Sequence, residues 1–89
     1  MLEARHKGLI RGLIYPIQFE NDPIEGVDRV LKVIVGARAL DATPEQYAQA
    51  IRAALNSDEP LAELIPQPHP EVAIRTFLVE IQKRLAERD

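Results

Sequence analysis

The side chains able to do covalent or acid–base chemistry are few. The chain has one serine (Ser57), two threonines (Thr43 and Thr76), two histidines (His6 and His69) and no cysteine. Nucleophilic catalysis needs a nucleophile beside a base that a third group orients. No stretch offers that set. Ser57 and Thr43 stand where helix starts call for a capping oxygen. Thr76 falls inside a helical pattern, and His69 lies among prolines, where exposure to solvent is expected. No catalytic residue is named, and the chain is read as not an enzyme.

Three other patterns bear on ligands. Glu3-Ala4-Arg5-His6 has the Glu-x-x-His spacing that places two metal ligands on one helical turn. A di-metal bundle needs two such motifs and further carboxylates, so only a site shared across a dimer would complete this one. Glu20, Asp22, Glu25 and Asp28 form an acidic cluster, but without the alternating oxygen ligands of a calcium loop. Their place at a helix start is explained by the helix dipole. No metal or cofactor is therefore expected. Gly8-Leu9-Ile10-Arg11-Gly12 matches Gly-x-x-x-Gly, a spacing that lets another helix approach closely. Arg5, Lys7 and Arg11 lack aromatic stacking partners, and no phosphate-binding glycine loop exists.

The elements that would carry these residues are punctuated by proline. Asp22-Pro23 is read as an N-cap followed by Pro at the first helical position, with Ile24, Val27, Leu31, Ile34 and Arg38 as the stripe of a helix over 23–39. Thr43-Pro44-Glu45-Gln46 is a capping box opening a helix to residue 55. Ser57 or Asp58 caps a short helix over 59–65. Pro66-Gln67-Pro68-His69-Pro70 is a stiff spacer without Pro-x-x-Pro spacing. A last helix over 70–87 carries Ile74, Phe77, Leu78, Ile81 and Leu85, with Glu71/Arg75 and Glu80/Arg84 on its other sides. The N-terminal segment reads as a helix over 2–14 followed by an extended Tyr15–Asn21 stretch. Gly8 and Gly12 weaken the helix by roughly 1 kcal/mol each relative to Ala.

The fold expected is all-α, a compact bundle of four to five short helices forming a single domain over 1–89. The alternative is an α+β domain with residues 9–19 and 29–35 as strands. The expected core is Leu9, Leu13, Ile24, Val27, Leu31, Ile34, Tyr47, Ile51, Leu55, Leu61, Leu64, Ile74, Phe77, Leu78, Ile81 and Leu85. With 89 residues and no cysteine, a chain of 10.0 kDa buries only roughly 64% of its unfolded surface, so its aliphatic supply matters.

Charge is banded. Residues 1–15 sum to +2 (Arg5, Lys7 and Arg11 against Glu3) and residues 16–28 to −4 (Glu20, Asp22, Glu25 and Asp28), within a net charge of −3. That sign argues against nucleic-acid or membrane partners. The candidate second helix of a helix-turn-helix, bearing Asp58, Glu59 and Glu63, would repel phosphate. No run of about 18 apolar residues exists to span a membrane, and Arg11 interrupts the only signal-like segment, so a cytoplasmic protein is expected.

The apolar surplus lies between residues 9 and 35. It leads to a non-catalytic protein-interaction module, self-associating as a homodimer or binding another protein. Its candidate interface is Leu9, Ile10, Leu13, Ile14, Tyr15, Ile17, Phe19, Val30 and Val33. Two alternatives stand beside it. One is a small acidic inhibitor, of the immunity-protein or antitoxin type, that binds a basic enzyme. The other is a metal-dependent enzyme using Glu3 and His6 across a dimer.

Overall fold

In the computed structural model, which describes residues 2–36 and 42–87, Thr43 caps a helix as its sequence requires. Its Oγ1 accepts from the Gln46 amide at 3.1 Å, while Gln46 Oε1 accepts from the Thr43 amide at 2.8 Å. This capping box starts helix α3, Pro44–Leu55. Asp22 does the same work. Its Oδ1 accepts from the Ile24 amide at 3.0 Å, and Glu25 Oε1 accepts from the Asp22 amide at 3.2 Å. The turn it opens, Pro23–Gly26, is 3-10 in form and runs directly into α2, Val27–Gly36. Residues 37–39 of the expected helix, Arg38 included, lie outside the described residues. Helices α1, Ala4–Ile14, and α4, Glu71–Glu87, complete an all-α fold.

The strand alternative for 9–19 and 29–35 is overturned, because both segments are helical. In α2 the β-branched residues favour a strand locally, but Val27, Val30 and Ile34 bury on one helical face, and packing overrides propensity.

Three further expectations are corrected. Tyr15–Phe19 is not extended but a 3-10 turn continuing α1. Pro16 needs no amide partner in a first turn, and Gln18 Nε2 donates to the Tyr15 carbonyl at 2.9 Å. The expected 59–65 helix shrinks to one 3-10 turn, Leu61–Glu63, since the segment between Pro60 and Pro66 is too short to repay α-helix nucleation. Ile24 is 40% exposed rather than core. Pro23 and Gly26 take the inward positions of that turn. A Cβ built on Gly26 would lie 2.6 Å from Ile17 Cγ2, so only glycine lets the two 3-10 turns touch.

Helix α1 packs on α3, α3 on α4, and α2 on α4. The core holds the expected Leu13, Val27, Ile34, Tyr47, Ile51, Leu61, Ile74, Phe77, Leu78 and Ile81, and adds Leu2, Ile10, Ile14, Ile17, Val30, Ala42, Ala50 and Ala54. Leu9, Leu31, Leu55, Leu64 and Leu85 pack against it half-buried. The accessible surface is 5513 Å², close to the roughly 5,200 Å² expected of a folded monomer of this mass. The chain closes its own core. Among the described residues no helix is long and apolar enough to cross a membrane.

Candidate functional site

Helix α1 has two unlike faces. Ile10, Leu13 and Ile14 point inward against α3, and Ile17 extends that stripe from the following 3-10 turn. The opposite face carries Arg5, Gly8 and Gly12 at helical spacing, and Tyr15 and Phe19 are exposed on the 3-10 turn that follows. These two rings are 62% and 80% exposed. A Cβ added at Gly8 or Gly12 would meet nothing within 4 Å among the described residues, so these two positions are uncovered there.

The nine residues expected at an interface therefore separate. Ile10, Leu13, Ile14, Ile17 and Val30 are buried in the chain's own core and have no surface to offer a partner. Leu9 is half-buried, while Tyr15, Phe19 and Val33 are exposed. Helical periodicity held part of the signal for the choice: Arg5, Gly8, Gly12 and Tyr15 repeat at intervals of three and four residues, opposite the buried Ile10, Leu13 and Ile14. The apolar run 30–35 is exposed in part. Val33 and Val35 are exposed, and Leu31, Lys32, Val35 and Gly36 line an open apolar depression of about 420 Å³. A second cleft of about 520 Å³ lies between α3 and the end of α4, lined by Ala48, Arg52, Gln82 and Leu85 among others.

Much of the banded charge is used within the chain. Lys7 Nζ lies 3.3 Å from Glu59 Oε2, and Glu59 Oε1 accepts from the Leu2 amide at 3.2 Å. The Leu2 amide first, and then Lys7, hold the Glu59 carboxyl below its usual value against a smaller opposing effect of burial. Arg29 pairs with Glu20. Arg84 binds Glu80 at 2.9 Å and Asp28 at 2.7 Å, and Glu80 chiefly raises the guanidinium's pKa. Arg11 Nε donates to the Leu64 carbonyl at 3.2 Å. Among the described residues, Arg5 has no acidic partner, and Asp22 and Glu25 have no basic one.

The groups with chemical potential are mostly engaged in structure. Thr43 Oγ1 caps α3, and Ser57 Oγ accepts from the Glu59 amide at 2.9 Å. Thr76 is exposed on α4. Glu3 is exposed and His6 half-buried, and no group of three His, Cys, Asp or Glu able to hold a metal occurs among the described residues. His69 corrects the expectation of exposure. It is 8% exposed, with Nε2 2.9 Å from the Ile17 carbonyl, so Nε2 carries the hydrogen that donates. Gln67 positions it: Gln67 Oε1 accepts from the His69 amide at 2.7 Å, and Nε2 donates to the His69 and Ala62 carbonyls.

Sequence reasoning missed one polar hub. Glu71, expected as surface decoration, accepts from the Leu61 amide at 2.9 Å and the Ala62 amide at 2.7 Å. Its partner Arg75 donates to the carbonyls of Leu55, Ser57 and Glu59. Together they hold the α3–α4 connection onto the first turns of α4. The i,i+4 spacing announces the ion pair but not its backbone partners. Comparison with known protein families, with characterised proteins and with solved structures finds no match for this chain, so any function must be argued from the α1 surface itself.

Proposed function

We propose that this chain is a non-catalytic protein-interaction module that associates with itself through the outer face of α1. One observation carries the reading: Phe19 and Tyr15 remain 80% and 62% exposed beside two uncovered glycine turns. A scattered surface Leu would mean little. Two exposed aromatic rings four residues apart are of the residue type enriched in interface cores. The glycines remove the side chains that would hold another backbone away. The engagement of Thr43 and Ser57 in capping supports a role without catalysis.

The test is solution mass by light scattering on the eluting protein across a dilution series. A mass near twice the chain's 10.0 kDa that persists on dilution is the expected result. A single-chain mass at every concentration would sink the self-association.

A further inference from the structure

We propose that the cleft between α3 and the end of α4 binds an aliphatic monocarboxylate, with Arg52 as the partner of its carboxylate. The site is separate from the α1 face and does not depend on self-association. The cleft encloses about 520 Å³, inside the roughly 300–1,000 Å³ typical of small-molecule sites. Small side chains make the hollow. Ala48 lines it from α3 and Ala86 from α4, while Leu85 supplies the larger apolar wall. Ala48 and Leu85 are only half-buried, so a hydrocarbon chain laid over them removes apolar surface from water.

Arg52 sets the charge of the ligand. It stands four residues after Ala48, on the same face of α3. The positions three and four residues to either side, Ala48, Gln49, Leu55 and Asn56, carry no acid, so α3 offers it no ion pair. Among the described residues its guanidinium has neither an ionic partner nor a hydrogen bond. Arg29, Arg75 and Arg84, in contrast, are held by carboxylates of the chain. A guanidinium presents a fork of N–H donors that fits a carboxylate. Gln82 adds an amide donor to the lining. Arg75 Nη1 donates to the Leu55 carbonyl at 3.4 Å, which ties the end of α3 to the start of α4. Along this antiparallel pair Gln82 lies nearer Arg52 than Ala86 does. Glu45 lines the other end of the cleft, seven residues before Arg52 and roughly 10 Å along the helix. There it repels a second carboxylate, whereas an uncharged tail ends against Leu85 and Ala86.

The experiment titrates the isotope-labelled chain with octanoate and follows the amide chemical shifts. Saturable shifts are expected at Ala48, Arg52, Gln82 and Ala86, with a dissociation constant of roughly 1 mM. Octanol has the same chain without the charge, and octanedioate has a carboxylate at each end. Each should bind roughly fivefold more weakly than octanoate. Three exposed helix positions are then varied, with circular dichroism as the check of folding. Arg52→Gln should weaken octanoate by roughly tenfold. Arg5→Gln, which removes an arginine on α1 that also lacks an acidic partner, should leave it unchanged. Glu45→Gln should let octanedioate bind as well as octanoate. Shifts that fail to saturate by about 10 mM, or that centre on α1 or α2, would overturn the site. Equal affinity for octanol, or an unchanged affinity in Arg52→Gln, would overturn the pairing of Arg52 with a carboxylate. An equal loss in Arg5→Gln would reduce the effect to net charge and overturn it as well. Octanedioate still bound more weakly by Glu45→Gln would overturn the part given to Glu45. None of these outcomes alters the solution mass, so the self-association is judged separately.

Discussion

Glu71 shows how one side chain can carry a connection. Its Oε2 accepts from the Leu61 amide and from Arg75 Nε at 2.8 Å, and its Oε1 from the Ala62 amide. Burial pushes its carboxyl pKa up, but the amides of Ala62 and Leu61 together with Arg75 outweigh it and hold the group below its usual 4.5. A carboxyl with a lowered pKa in the folded state stabilises fully above its unfolded value. That contribution is lost as pH falls through the folded one. Glu71→Gln should therefore cost about 1–2 kcal/mol at neutral pH, toward the lower part of that range because the side chain is 36% exposed and solvent screens it. The gap to the natural chain should begin to narrow as the pH drops below 4.5 and should close once the pH has fallen through the lowered pKa of the folded carboxyl, where the natural chain is itself neutralised. Urea unfolding at pH 7, 5, 4 and 3 measures it. A gap of constant size from pH 7 to pH 3 would remove the carboxylate charge from the explanation.

At the scale of elements, what could be read in advance was what is written locally. The N-cap at Asp22 and the capping box at Thr43 each lie within four residues, and a helical turn starts at each, a 3-10 turn after Asp22 and α3 after Thr43. The α4 stripe of Ile74, Phe77, Leu78 and Ile81 needs only helical periodicity. The missed features depend on distant partners. Ile17 is buried because Gly26 lies against it and because His69, 52 residues away, binds its carbonyl, and neither fact is written near residue 17. The candidate interface was half legible for the same reason. Residues 9–19 are visibly apolar, but which side faces α3 is a matter of packing that sorted Ile10, Leu13 and Ile14 inward and Tyr15 and Phe19 outward. The junction gives a paired test. Gly26→Ala drives a methyl group into the buried Ile17 and should cost about 1–3 kcal/mol. Gly8→Ala meets nothing and should gain about 0.5–1 kcal/mol from helix propensity. Urea midpoints on dilute protein compare the two, and a Gly26→Ala variant as stable as the natural chain would contradict the close contact of the 3-10 turns.

The whole molecule bears on what kind of association the proposed one would be. Its radius of gyration of 11.7 Å matches the roughly 12 Å expected of a closed domain of this length. Its core is complete without borrowed residues, and the rings on α1 lie outside it. The self-association proposed would therefore be docking of folded copies and not folding coupled to assembly. Phe19→Ala separates these cases. The ring is 80% exposed, so its loss should change the stability of the single chain by under about 0.5 kcal/mol. It should at the same time remove an aromatic contact of the proposed self-association. The natural chain's melting temperature should climb with protein concentration, since the folded pair binds and the unfolded chain does not. The Phe19→Ala variant should keep the same helical spectrum and melt at a temperature independent of concentration. That temperature should equal the one the natural chain approaches at high dilution. Were Phe19→Ala instead to lose its helical signal at every concentration, the ring would belong to the fold, and the α1 face would no longer be a docking surface.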